Sequence, residues 1–177
     1  RDLTVRDLTC LVVTVGPGSF TGIRVALAFC KGLREGLSIP LIGLSTLDVL
    51  AQPLSFLDGH YLCPLVDAKK GEVFAALYRA VGGGLMKMLP ERSMKPQEVG
   101  GILQGPCFCF GTGVAVCTEV LRDMPGISSI DEGHDRISGE TLIREGLRRR
   151  DLGQAGEAKP LYGRRSEAEI KFRIAAL

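Results

Sequence analysis

Val13-Thr14-Val15-Gly16-Pro17-Gly18-Ser19-Phe20-Thr21-Gly22-Ile23-Arg24 is the stretch that decides how this chain is read. The run from Leu8 to Val15 is apolar and β-branched, as a buried strand requires. A glycine-rich turn follows, and the chain then keeps helical periodicity to about Leu37. Such a turn serves one of two ends. Backbone N–H groups converging at a helix N-terminus can cradle a phosphate, or glycines can let a helix start close to its neighbour. The standard nucleotide motifs do not fit. A P-loop requires G-x-x-x-x-G-K-[ST], whereas Gly16 and Gly22 enclose five residues and Ile23-Arg24 follows. A dinucleotide fingerprint requires G-x-G-x-x-G, and Gly16-x-Gly18-x-x-x-Gly22 is one residue too long. Pro17 also removes one donor from an anion nest, and no lysine follows Gly22. Gly16, Pro17, Gly18 and Gly22 are therefore assigned to the geometry of the turn.

The helix itself carries too much apolar surface. At 100° per residue, Thr21, Arg24, Lys31, Arg34, Glu35 and Ser38 fall on one side. Gly22, Ile23, Val25, Ala26, Phe29, Cys30, Leu33 and Leu37 fall on the other. That arc is roughly twice the ~100° stripe of an ordinary amphipathic helix. Ala28, Gly32 and Gly36 recur every four residues along one edge. A glycine inside a helix costs about 1 kcal/mol against alanine, so close approach of another backbone is the natural reason for two of them. Either the helix is buried within its own domain, or it meets another chain. The second reading assigns the interface to Phe20, Ile23, Ala26, Ala28, Phe29, Gly32, Leu33 and Gly36.

The segment from Gly16 to Leu33 resembles the signature of the TsaB (YeaZ) family. The resemblance continues through Ile39–Ala51, Val66–Tyr78 and Pro160-Leu161-Tyr162, with Phe110-Gly111-Thr112-Gly113 between. It implies an α/β protein of the actin-like ATPase (ASKHA) fold, with two similar subdomains. It also implies a non-catalytic partner of TsaD in bacterial tRNA threonylcarbamoyladenosine modification. A TsaE-like ATPase joins the wider complex, and tRNA is met only through that complex. An isolated chain would form a homodimer through the same surface. Proteins of the family open with a strand carrying an Asp-Thr-Ser type motif and two further strands. This chain begins at Arg1 without them, so the first strands of the N-terminal subdomain are expected to be missing.

The catalytic paralogue holds a metal with two histidines four apart on the helix after the Leu-Ile-Gly-Leu-like strand. One helix face presents both imidazoles at that spacing. The matching positions here are Thr46 and Leu50, and neither replaces imidazole. Asp48 lies about 200° from Thr46 and does not rescue the site. No metal, no cofactor and no catalytic residue is therefore expected. Two other classes compete: a stand-alone ATPase or small-molecule kinase of this fold, and a homodimeric structural module. Asp67 and Glu72 flank a turn and could act as acid and base. Aspartate at a turn more commonly bonds its own backbone.

Composition bounds the remaining classes. The 177 residues are 45% hydrophobic and 24% charged, enough for a real core. No apolar run reaches the ~18 residues of a membrane span, and Arg1, Asp2, Arg6 and Asp7 interrupt any signal-peptide core. A net charge of +2 gives no argument for direct nucleic-acid binding. Arg148-Arg149-Arg150 and Arg164-Arg165 read as solvated helix ends rather than phosphate contacts. The six cysteines lack zinc spacing and read as buried thiols in the reducing cytoplasm. The order of elements divides the chain into residues 1–52, a truncated N-terminal unit, and residues 53–177, a C-terminal unit. Tyr61–Asp67 and Glu72–Arg79 are expected as a hairpin, and a helix over Ser138–Arg149 closes the second unit.

Overall fold

Leu11–Gly16 forms strand β1 and Leu41–Ser45 forms β2. They pair in parallel, with Val12 opposite Ile42 and Val13 opposite Gly43. A parallel pair needs a long crossover, and helix α1, Phe20–Leu37, supplies it. Ser19 caps this helix by accepting the Gly22 N–H at 3.2 Å. Ser38, in the left-handed region at φ 53°, ends it. Helix α2, Thr46–Ala51, begins where Ser45 Oγ accepts the Asp48 N–H, and a 3-10 turn over Gln52–Leu54 follows. The computed structural model describes residues 2–122, 124–131, 134–154 and 158–163.

The next strands are β3 (Tyr61–Lys69), β4 (Glu72–Val81) and β5 (Gly84–Met94). Helix α3 (Pro96–Val99), β6 (Cys107–Phe110), α4 (Val114–Arg122), β7 (Ile127–Asp131) and α5 (Gly139–Asp151) complete the order. The five strands form one mixed sheet in the order β5-β4-β3-β6-β7. The β3–β4 and β4–β5 pairs are antiparallel, and β3–β6 and β6–β7 are parallel. The expected hairpin is present, with β3 running two residues further into the turn and β4 two residues further at its far end.

Each face of this sheet has its own core. Leu65, Leu77 and Cys109 pack with Val99 of α3 and with Val114 and Leu121 of α4. On the other face, Leu62, Phe74, Tyr78 and Phe110 pack with Leu47 and Leu50 of α2 and with Leu54. The expected division at residues 52 and 53 thus falls inside one continuous cluster, because Ala51 and Leu54 share it.

The two-stranded sheet is also covered on both faces, as buried parallel strands require. α1 covers one face, where Ile23 and Leu27 meet Val13 and Val15. α5, which chain order places after the second sheet, covers the other. Gly146 makes that approach: a Cβ there would lie 2.5 Å from Val12 Cγ2. Leu142 packs on Ile42, Leu44 and Val49. The segment 158–163 returns to the same sheet, where the Leu161 N–H donates to the Val15 carbonyl at 2.7 Å. Of the helices adjacent in sequence, α2 adds Val49 to this face, and the rest of its cover comes from far along the chain.

Candidate protein-partner interface

The turn before α1 is built around Gly16. Its φ is +109°, and a Cβ would sit 2.2 Å from the Leu161 carbonyl oxygen. Glycine is obligatory there on both counts. The Gly16–Pro17 peptide is cis, and Pro17 is buried. Gly18 is different: its φ is ordinary, and an added Cβ would meet nothing within 4 Å. Of the four residues assigned to the geometry of the turn, Gly16 makes the close backbone approach and Gly18 makes none. At Gly22 a Cβ would meet only the capping Ser19 side chain, at 3.3 Å.

The broad apolar arc of α1 resolves into two stripes. The inner one holds Ile23, 7% exposed, and Leu27, 3% exposed, with Ala26 and Cys30 packed alongside. The outer one, roughly 140° around the helix at 100° per residue, holds Val25, Phe29, Gly32 and Gly36. Val25 is 63% exposed and Phe29 67% exposed. A Cβ at Gly32 or Gly36 would meet nothing within 4 Å, and Ala28 beside them is exposed. The small-residue edge therefore approaches no other backbone of the described chain. Leu33 is half-buried between the stripes. Of the eight residues assigned to an interface, Ile23 faces the chain's own core.

Phe20 stands apart from both stripes. Its ring lies 5.0 Å from that of Tyr162, and the Arg24 guanidinium lies 3.9 Å above it. Arg24 Nε also donates to the Tyr162 hydroxyl at 3.0 Å. The cation nearest the turn in sequence is thus directed to two aromatic rings. This cluster, 138 residues apart along the chain, carries no local sequence signal. Leu27 was legible at i+4 from Ile23 but lay outside the arc drawn from the sequence.

The other singled-out residues have defined partners. Asp67 accepts the Lys69 N–H at 2.7 Å and Lys69 Nζ at 2.8 Å, the backbone-bonding role expected at a turn. Hydrogen bonds from Lys69 hold its carboxyl below the usual carboxylate range. Glu72 Oε2 accepts the Ser93 hydroxyl at 2.6 Å. Leu50 is in the core beneath the five-stranded sheet. Among the described residues, no group of three or more His, Cys, Asp or Glu is placed to hold a metal ion. None of the six cysteines is in a disulfide, and Cys63, Cys107, Cys109 and Cys117 are buried in one cluster. Among the described residues no helix is long and apolar enough to cross a membrane.

Asp48 occupies a position that the sequence did not anticipate. Its Oδ1 accepts Tyr78 Oη–H and Lys87 Nζ, each at 2.7 Å, and its Oδ2 accepts Arg149 Nη2 at 2.7 Å. Arg149 Nε also donates to buried Glu145 at 2.8 Å, as does Arg148 Nε. Of the three consecutive arginines, Arg149 is thus mostly withdrawn from solvent, while Arg148 pairs with Glu145 and keeps half of its side chain exposed. Arg150 pairs with Asp151, and the Arg164-Arg165 pair lies outside the described residues. Burial acts to raise the Asp48 pKa, but hydrogen bonds from Lys87 and Arg149 outweigh it and hold the carboxyl below its ordinary value. Burial and the Asp48 carboxylate push the Tyr78 hydroxyl up. These groups line a cleft of about 430 Å³ with Gln52 and the Gly82–Gly84 turn.

Known proteins resemble this chain in sequence and in fold. The family model of TsaD, the tRNA N6-adenosine threonylcarbamoyltransferase, matches residues 1–108. The tRNA threonylcarbamoyladenosine biosynthesis protein TsaB of Bacillus subtilis is 36% identical over 178 aligned residues, covering 97% of this chain and 76% of the relative. TsaB of Escherichia coli is 34% identical over 62% of this chain and 50% of its own length. YeaZ from Pseudomonas aeruginosa has the same fold, with a TM-score of 0.74 at 24% identity over 90% of this chain and 76% of that one. A chain that carries the turn, the helix after it and the later segments in one order, at this identity over nearly its whole length, belongs to the TsaB (YeaZ) family.

Proposed function

We propose that this chain is a scaffold subunit of tRNA threonylcarbamoyladenosine biosynthesis, of the actin-like ATPase fold, which binds and stabilises a TsaD-like catalytic subunit through the outer stripe of α1. The observation that carries this reading is the pairing of exposed Val25 and Phe29 with the open Gly32 and Gly36 edge. Solvent-exposed apolar side chains beside small residues let a second helix come closer than the usual ~8–10 Å. Specific interfaces bury about 800 Å² per partner, which one helix face and its surroundings can supply. Ile23 and Leu27 anchor the helix from beneath, so the outer stripe is presented on a fixed support.

The catalytic step and its metal belong in this reading to the TsaD-like partner, since Thr46 and Leu50 stand at the histidine positions. A TsaE-like ATPase completes the complex, and tRNA is met only through it. The Gly16–Gly22 turn serves geometry, with Gly16 against Leu161 as its fixed point. An isolated chain pairs with a second copy through the same stripe.

The test is co-elution with a TsaD-like subunit. Gly32→Leu places a side chain in open space, so the monomer is expected to keep its stability within about 0.5 to 1 kcal/mol. Partner binding is expected to fall at least tenfold. Unchanged co-elution of a folded Gly32→Leu variant would overturn the assignment of this face. Micromolar ATP or ADP binding by the isolated wild-type chain in calorimetric titration would favour the ATPase or kinase class instead.

A further inference from the structure

Helix α5 is attached to the fold more by charge than by apolar contact. Its buried residues are Glu145 and Gly146, whereas α4 buries Val114, Cys117 and Leu121. Gly146 rests flat on Val12, and Leu142 is the half-buried apolar residue that reaches Ile42 and Leu44. Ile143, the next large apolar side chain, is exposed. Against these few contacts stands the Asp48 constellation. It joins α2 through Asp48, β4 through Tyr78, β5 through Lys87 and α5 through Arg149. Glu91 accepts Lys87 Nζ at 2.6 Å on one side, and Glu145 accepts Arg149 and Arg148 on the other.

We propose that α5 is an ion-latched cover over the β1–β2 sheet, with Asp48 as the catch that ties it to the five-stranded sheet. The cleft beside the latch does not read as a ligand site, because Lys87, Arg148 and Arg149 each already face a carboxylate. Removing one partner of a buried ion pair leaves an uncompensated charge, which destabilises far more than the pair itself stabilises. Here Lys87 and Arg149, on the two bodies that Asp48 bridges, would each lose one of two carboxylate partners, keep Glu91 and Glu145 respectively, and no longer be tied to each other. Loss of Asp48 therefore strains the α5 seam and leaves the apolar cores on either face of the five-stranded sheet intact. A released α5 uncovers Val12, Ile42 and Leu44, which support α1 from behind. Local opening of this kind follows the region with fewest apolar contacts.

Hydrogen exchange read by mass spectrometry on the full chain tests the latch. In Asp48→Asn, amides of Glu140–Arg150 are expected to exchange at least tenfold faster than in wild type. Those of β1 and β2 should exchange several-fold faster, and those of β3, β4 and β6 within twofold of wild type. Arg149→Met removes the other side of the catch and should give the same pattern. Glu140→Gln, which breaks the exposed Arg144–Glu140 pair, should leave α5 unchanged. The proposal is overturned if α5 protection in Asp48→Asn and Arg149→Met stays within twofold of wild type. It is equally overturned if both variants lose protection uniformly across the two sheets.

Discussion

The five-stranded sheet closes a core on each face with helices adjacent in sequence, α3 and α4 on one and α2 on the other. The β1–β2 sheet has smaller clusters, borrows α5 from the far end of the chain, and leaves half of α1 bare. The difference separates two tasks. Burial of large aliphatic side chains on both faces supplies most of the stability of a domain, and the five-stranded half holds it. The smaller half holds the exposed apolar stripe, which a stable monomer has no reason to keep bare. On the proposed reading, a surface kept for another chain costs its own half stability until that chain arrives.

The largest effect that sharpens this contrast comes from the large core. Leu77 is fully buried beneath α3 and α4. Leu77→Ala is expected to lower global stability by about 2–5 kcal/mol, read as a lower urea midpoint with an unchanged slope. A loss under about 1 kcal/mol would mean that the five-stranded sheet is not the stable half.

A smaller and more local loss is expected from the turn. Gly16→Ala forces a Cβ into the Leu161 carbonyl at a positive φ. Strain and overpacking together put its cost at about 2–4 kcal/mol, concentrated in faster exchange of β1 and of the 158–163 segment. Gly18→Ala, in open space at an ordinary φ, should change stability by less than about 0.5 kcal/mol. Equal effects of the two substitutions would remove Gly16 as the fixed point of the turn.

The mildest perturbation is acid. The Asp48 carboxyl faces Tyr78, Lys87 and Arg149, Glu145 faces Arg148 and Arg149, and Glu91 faces Lys87. Both Asp48 and Glu145 have folded pKa values below their ordinary ones: burial opposes the shift, and the hydrogen bonds from the cations overcome it. Depressed carboxylates add stability that is fully present above the unfolded pKa of about 4 and is lost as pH falls through the folded value. No change is expected between pH 6 and 8. Below about pH 4, α5 should lose protection before β3 and β4 do, and Asp48→Asn should blunt that acid response.

Most elements were legible because their signals are local. The end of α1 follows from apolar spacing that runs to Leu37, and the structure adds Ser19 as the cap at its start. The turn at Asp67 was legible from a carboxylate that can bond its own backbone two residues on. The exposed stripe of α1 was only half legible. Apolar periodicity marks which side of α1 avoids water, but it cannot say how much of that side the chain's own sheet covers. Ile23 and Val25 look alike in sequence, and packing against Val13 and Val15 alone separates them.

The sequence by itself determined the first strand and helix with the turn between them, the Tyr61–Arg79 hairpin, the helix from Ser138, the surplus of apolar residues on α1, and the family resemblance. Each of these rests on residue type and on spacings shorter than a few turns of chain. Tertiary structure alone decided which apolar stripe stays exposed, that Gly16 rather than Gly18 meets a second backbone, that α5 covers the first sheet, and that Asp48 joins four elements. Those features depend on contacts between residues up to 145 positions apart, from Gly16 to Leu161. A covering helix or an ion partner at that distance leaves no periodic trace, because only the fold brings its charge or its surface into reach.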